Sequence, residues 1–111
     1  MIKIKLNKEY TLDFISARKL KQTIAFKKRY DILSAQMKDE NSEVDEEILL
    51  DAMAKYIVDI FSYRKGEETV KPFTEEDIWD YLSLKDFQSK FSEIIEAVIS
   101  EFGGEVKKKT E

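Results

Sequence analysis

The stretch from Ile48 to Phe61 constrains the fold most, because its apolar residues recur at spacings of three and four. They are Ile48, Leu49, Ala52, Met53, Tyr56, Ile57, Ile60 and Phe61. This period places the apolar side chains in one wide stripe along an α-helix. A stripe of that width must be covered by other elements. We therefore predict that a helix at about 44–62 forms the centre of the core.

A second helical segment comes before this stretch and is rich in bases. Residues 17–37 contain neither Gly nor Pro, and Ser16 is suited to be an N-cap, so a long first helix is expected at about 16–37. Six bases precede its first acid: Arg18, Lys19, Lys21, Lys27, Lys28 and Arg29. The last three, Lys27, Lys28 and Arg29, are expected to form the solvated face of the helix.

Two more helices are predicted in the second half of the chain. Thr74 and Ser83 are their expected N-caps, which places the helices at about 74–82 and 84–102. The pair Gly103-Gly104 is expected to end the last helix, because glycine is common where helices terminate.

The N-terminus has the pattern of a β-hairpin. From Ile2 to Leu6, apolar residues alternate with lysines, and Asn7-Lys8-Glu9 can form a turn. The β-favouring residues Tyr10-Thr11-Leu12 can then form the second strand. Residues 62–71 contain Gly66 and mixed charges, which indicate an exposed loop. The predicted fold class is mainly α (α+β): a single compact domain over residues 1–103, with an N-terminal hairpin followed by about four helices, and a flexible C-terminal tail over 104–111.

The missing residue types narrow the function. The 111 residues include no Cys and no His, which excludes disulfides, thiolate nucleophiles, Cys/His zinc sites and imidazole bases. We therefore predict no catalytic residue, no metal and no cofactor. No apolar run approaches the roughly 18 residues of a membrane span. The formal net charge of −4 also argues against a general nucleic-acid binder, and a cytoplasmic protein is expected.

One segment supports an alternative function. Phe26-Lys27-Lys28-Arg29-Tyr30 places bases between aromatic side chains, an arrangement that can hold phosphates while nucleobases stack. The second hypothesis is therefore a small nucleic-acid-binding regulator that uses the basic first helix. The pattern covers one helix only, and no recognised nucleic-acid motif surrounds it.

Aromatic residues are concentrated around the predicted third helix. About two helical turns cannot bury all of its large apolar residues on one side: Phe73, Ile78, Trp79, Tyr81 and Leu82. One or two of the aromatic side chains are therefore expected at the surface. Phe73, Trp79 and Tyr81 are the candidate partner-binding residues.

The order of these features resembles a known protein family. The residues that carry the resemblance are the opening Met1-Ile-Lys-Ile-Lys-Leu-Asn-Lys-Glu-Tyr-Thr, the segment Asp13-Phe-Ile-Ser-Ala-Arg18, the segment Val58-Asp-Ile-Phe61, and Phe73-Thr-Glu-Glu-Asp-Ile-Trp-Asp-Tyr-Leu82 before a helix ending at Gly103-Gly104. Over residues 1–104 the chain is similar to the tail assembly chaperones of long-tailed, non-contractile phages and of related prophages in Gram-positive bacteria.

The resemblance implies a non-enzymatic protein of the bacterial host cytoplasm. Its implied partner is the tape measure protein, a very long helical chain whose apolar stripes would aggregate before the tail tube encloses it. The chaperone would keep those stripes soluble and be released as tube protein polymerises, so the tail tube protein is a further implied partner. Self-association through the strand edge from Ile2 to Leu6 is left open, although Lys3 and Lys5 would disfavour it.

Overall fold

The computed structural model describes the backbone of residues 2–41 and 43–109, and side chains as far as residue 101. In chain order, its elements are β1 Ile2–Lys5, β2 Glu9–Leu12, α1 Ala17–Met37, α2 Glu46–Phe61, β3 Tyr63–Lys65, β4 Glu68–Val70, α3 Glu75–Tyr81 and α4 Leu84–Lys109. The predicted fold class is confirmed, because four helices follow an N-terminal antiparallel hairpin within these residues. None of the described helices combines the length and the apolar character that crossing a membrane requires.

The N-terminal hairpin covers one side of the core. Ile2 lies opposite Leu12, and Ile4 lies opposite Tyr10 in the antiparallel register. The alternation in the sequence turns Ile2, Ile4 and Leu6 inward, where they are buried. β1 packs against α4, so the apolar face of this small sheet is covered by a helix.

Helix α2 forms the centre of the core, as its apolar spacing predicts. Its buried residues are Met53, Ala54, Tyr56, Ile57, Val58, Ile60 and Phe61. α1, α3 and α4 all pack against it, and α1 also packs against α4. The N-terminal end of the predicted stripe lies outside the core, because Ile48 is 40% exposed. The apolar stripe of α2 thus extends beyond the part of the helix that other elements cover.

Local hydrogen bonds set the starts of α3 and α4, as predicted. The backbone N–H of Asp77 donates to Thr74 Oγ1 at 3.3 Å, and the backbone N–H of Thr74 donates to Asp77 Oδ2 at 2.9 Å. This reciprocal pair satisfies two N–H groups that a helix start leaves without partners. The N–H of Asp86 donates to Ser83 Oγ at 3.1 Å. Ser16 precedes α1, but its side chain makes no capping hydrogen bond.

Lys19 differs from the other bases of α1, which are exposed. Its side chain is buried, and its Nζ donates to the carbonyl oxygens of Ile60 at 2.5 Å and Ser62 at 3.0 Å. These carbonyls lie at the C-terminal end of α2, where the helix itself supplies no N–H partner and the helix dipole favours a cation. Burial lowers the pKa of Lys19 from its usual value, whereas the two acceptors favour the charged form. Lys19 therefore joins the first turn of α1 to the last turn of α2.

The prediction of a loop over residues 62–71 is wrong, because this segment contains the β3–β4 hairpin. Tyr63 lies opposite Val70, and Gly66 takes a φ of 65° in the turn. Glycine adopts such a positive φ without the steric cost that a Cβ imposes. The three-residue strands are exposed apart from Val70, so they have no apolar alternation that could have revealed them.

The predicted end of α4 at Gly103-Gly104 is also wrong, because the helix continues through both glycines to Lys109. Glycine lowers helix propensity by about 1 kcal/mol per residue, but it does not forbid helical backbone angles. The proposed domain limit at residue 103 and the flexibility of 104–111 stay predictions. Residues 110 and 111 lie outside the part of the chain that the structure describes.

Candidate partner-binding groove

The three predicted site residues do not form one patch. Phe73 is 2% exposed, and its ring centroid lies 5.0 Å from that of Tyr10 and 5.3 Å from that of Phe61. Trp79 and Tyr81 are 36% and 53% exposed. Two positions apart on a helix, their side chains point about 160° away from each other. Phe73 therefore belongs to the core, whereas Trp79 and Tyr81 line two different grooves.

The larger groove, which we call the α1–α2 groove, runs between these two helices and also includes residues of α3. It has a volume of about 710 Å³. Its apolar lining consists of Ala25 and Phe26 from α1, Ile48, Ala52 and Tyr56 from α2, and Trp79 from α3. The rest of its lining is polar or charged, so the groove suits a partner helix that has both an apolar stripe and polar flanks.

Aromatic contacts hold the lining of the α1–α2 groove in place. The rings of Phe26 and Tyr56 stack with centroids 4.6 Å apart and an interplanar angle of 23°. Phe91 of α4 lies edge-on to both, at 5.5 Å from Phe26 and 6.0 Å from Tyr56. The ring of Trp79 lies 5.2 Å from that of the buried Phe87. The aromatic lining therefore continues into the core, which restricts its side-chain freedom.

The hydroxyl group of Tyr56 is buried and hydrogen-bonded. Thr23 Oγ1 donates to the carbonyl oxygen of Lys19 at 2.8 Å and lies 2.6 Å from the Tyr56 hydroxyl. Because a threonine hydroxyl has one proton, Tyr56 is the donor in the second hydrogen bond. Burial raises the pKa of Tyr56 to about 12, against a smaller lowering by Thr23. The phenol therefore stays neutral near pH 7 and keeps its ring fixed beside Phe26.

Charged side chains around the α1–α2 groove are mostly acidic. The carboxylates are Asp51, Asp59, Glu75 and Glu76, and the bases are Arg29 and Lys55. None of these six side chains forms an ion pair with any residue that the structure describes. The rim therefore has two more negative than positive charges, and all of them are available to a partner.

The smaller groove contains Tyr81 and lies between the N-terminal hairpin, α3 and α4. Leu6 and Leu82 supply its other apolar residues, and its volume is about 600 Å³. Two acids and two bases line it, and one pair is satisfied internally, because Lys90 Nζ lies 2.6 Å from Glu93 Oε2. This groove offers a single aromatic side chain. The α1–α2 groove is consequently the better candidate for binding a large apolar partner.

Sequence reasoning missed Phe26 as a residue of the better groove, because it was assigned to the basic and aromatic segment. Tyr56 was assigned to the core, which is confirmed, since its side chain is 3% exposed. The available signal was the width of the α2 stripe, because eight apolar positions form a wider surface than one neighbouring helix covers. Ile48 and Ala52, at the start of that stripe, now line the groove.

The geometry of α1 does not favour the nucleic-acid hypothesis. Phe26 and Tyr30 both contact Phe91 of α4, with centroid distances of 5.5 Å and 5.9 Å, so both rings are partly covered. Lys27 and Arg29 point about 160° apart around the helix axis. Of the three bases in the segment, Arg29 alone lines the same groove as Phe26, and that groove has more acids than bases.

Comparison with known proteins gives one match. A family model described as phage tail chaperone protein matches residues 1–111, which include every element that forms the two grooves. Neither the curated proteins nor the solved structures yielded a match.

Proposed function

Because the chain belongs to the phage tail chaperone family, we propose that its client is the tape measure protein and that this client binds in the α1–α2 groove. The observation that carries the proposal is the exposed Trp79 ring in the same groove as the partly exposed Phe26 ring, which stacks on the buried Tyr56 ring. Large, rigid apolar side chains in a concave surface are the usual anchors for an amphipathic helix.

The dimensions of the groove fit a helical client. Along α2, its lining extends from Ile48 to Asp59, which corresponds to about 16 Å at 1.5 Å per residue. One chaperone would therefore cover about three turns of a client helix. A very long client would need many copies, each shielding a short part of its apolar stripe until tube protein replaces them.

The proposed activity is binding alone, in the host cytoplasm during tail assembly. The chaperone would lower the concentration of exposed apolar stripes and thereby slow the aggregation of the tape measure protein. In this account Trp79 contacts the client, and Phe73 supports the fold from the core. Tyr81 in the smaller groove is the alternative contact.

The test is co-expression of the chaperone with fragments of the tape measure protein, followed by measurement of their soluble yield. The wild-type chaperone should raise the yield, and Trp79→Ala should reduce this effect. Tyr81→Ala is the matched control, because it removes an exposed aromatic side chain from the other side of the same helix. Circular dichroism should show that both variants remain folded.

Two results would count against the proposal. If the wild-type protein leaves every fragment insoluble, the tape measure protein is not the client. If Tyr81→Ala loses the effect and Trp79→Ala keeps it, the client binds in the smaller groove instead.

A further inference from the structure

The charges of the α1–α2 groove indicate the chemistry of its occupant. We propose that the occupant is an amphipathic helix whose apolar stripe is flanked by Lys or Arg at the end that lies beside α3. This inference rests on the proposed function and specifies which segments of a client would bind. It follows from the position of three carboxylates, which belong to Asp59, Glu75 and Glu76.

The three carboxylates lie at one end of the groove, because the ring centroids of Phe61 at the end of α2 and Phe73 just before α3 are 5.3 Å apart. Glu75 and Glu76 are in the first turn of α3, and Asp59 is in the last turn of α2. The contact of Lys19 with Ile60 shows that the last turn of α2 lies beside the first turn of α1. There, α1 contributes the neutral Gln22 to the lining.

Three carboxylates at this end face one nearby base, Lys55, because the other base of the groove, Arg29, lies away from it. Arg29 is seven residues beyond Gln22 in α1, which corresponds to about 10 Å along the helix. Lys55 precedes Asp59 by about one turn of α2 and forms no ion pair with it. The end beside α3 therefore has a local excess of negative charge.

Asp59 is the most informative of the three carboxylates. Acids are favoured at helix starts, so the helix dipole accounts for Glu75 and Glu76. The same dipole disfavours Asp59, which lies near the C-terminal end of α2. Asp59 is half-buried and its carboxylate forms no ion pair. The Lys19 ammonium at this helix end is bound instead to the Ile60 and Ser62 carbonyls. Among the described residues, none forms an ion pair with Asp59, whereas a basic side chain of a partner could do so.

A helix with an apolar stripe and a basic flank matches both the apolar lining of the groove and its three carboxylates. Its apolar stripe would cover Phe26, Ile48 and Trp79, and its Lys or Arg side chains would approach the three carboxylates. A helix with acidic flanks would meet like charge at the same place. Because the carboxylates lie on the rim and are partly solvated, we expect a discrimination of about tenfold in Kd.

Two synthetic helical peptides test this inference. They share one apolar stripe without Trp and carry either Lys or Glu at the flanking positions. Trp79 is the only Trp of the chain and lines the groove, so its fluorescence reports binding directly. The Lys peptide should bind about ten times more tightly than the Glu peptide at low salt, and this ratio should shrink at high salt.

Neutral variants connect the preference to the three carboxylates. The combination Asp59→Asn, Glu75→Gln and Glu76→Gln should bring the two Kd values together while the apolar contribution remains. The matched control is Asp86→Asn with Glu93→Gln, which neutralises the carboxylates of the smaller groove and should leave the tenfold ratio unchanged. Circular dichroism checks that each variant is folded.

The outcomes separate this inference from the proposed function. Equal binding of both peptides to the wild-type protein would overturn the charge preference, while solubilised tape measure fragments would still support the client. A preference that survives in the triple variant would also overturn it, because other residues would then be responsible. A preference for the Lys peptide without any effect on tape measure fragments would support the charge inference and contradict the proposed client.

Discussion

The Tyr56 hydroxyl donates to Thr23 Oγ1 across 2.6 Å, and this buried hydrogen bond joins α2 to α1 beneath the α1–α2 groove. Thr23 Oγ1 in turn donates to the carbonyl oxygen of Lys19. Lys19 in turn holds the last carbonyls of α2 through its ammonium group. One turn of α1 thus supplies two polar connections to the helix that forms the core.

The burial of Tyr56 predicts a loss of stability at alkaline pH. Its pKa is about 12 in the folded protein, against about 10 for an exposed phenol. The neutral phenol therefore makes its full contribution to the free energy of unfolding below pH 10, and this contribution is lost as the pH rises through 12. At pH 11 we expect a loss of about 1 kcal/mol in the free energy of unfolding that is absent from Tyr56→Phe. Urea unfolding at pH 9 and 11 measures it. If the free energy of unfolding falls equally in the wild type and in Tyr56→Phe, the assignment to Tyr56 is wrong. The lowered pKa of Lys19 increases stability as the pH rises, and it does so equally in both proteins, so it cancels in the comparison.

Replacing Lys19 should destabilise the protein more than replacing any exposed base of α1. Lys19→Ala leaves the carbonyl oxygens of Ile60 and Ser62 without their donor, so we expect a loss of about 2 kcal/mol. Lys28→Ala is the control and should change stability by less than about 0.5 kcal/mol, because Lys28 is exposed. Thermal melts of both variants decide; equal losses would mean that the Lys19 contacts contribute nothing.

Truncation of Phe61 should produce a large loss of stability. Its ring is buried at the end of α2 and lies 5.3 Å from the Phe73 ring, so Phe61→Ala should cost about 3–5 kcal/mol through lost burial and a residual cavity. Phe14→Ala removes the same side chain from a position that is 74% exposed and should have little effect. Urea denaturation compares the two, and a small loss for Phe61→Ala would show that this part of the core repacks.

The continuation of α4 predicts that alanine is tolerated where glycine was expected to end the helix. Both Gly103 and Gly104 lie inside the helical range, so replacing both with Ala should increase helix content and stabilise the C-terminal turns by about 1 kcal/mol per residue. Far-UV circular dichroism measures the helix content. A decrease would indicate that a glycine-specific conformation ends the helix there after all.

Features determined by neighbouring residues could be predicted from the sequence. The α2 stripe and the caps of α3 and α4 depend on contacts within one helix, so periodicity and residue type were sufficient for them. The β3–β4 hairpin and the extension of α4 were missed because short exposed strands and helical glycines leave no distinct apolar pattern.

The candidate site depends on contacts between distant parts of the chain. Trp79 was identified from the number of aromatic residues on a short helix. The burial of Phe73 was not predictable in the same way, because one of its contacts is Tyr10 in the N-terminal hairpin. Likewise, Phe26 and Tyr56 form one surface only because α1 and α2 lie side by side, and helical periodicity does not reveal which helices become neighbours.

The β3–β4 hairpin can change in length without changing the packing of the core. Its side chains are exposed from Tyr63 to Thr69, and its strands contact each other far more than any other element. Residues can therefore be added or removed at the Gly66 turn with little change in the packing of α2 or α3, since closing a longer surface loop has only a small entropic cost. A fluorescent label or an affinity tag can be inserted at this position without contact with either groove.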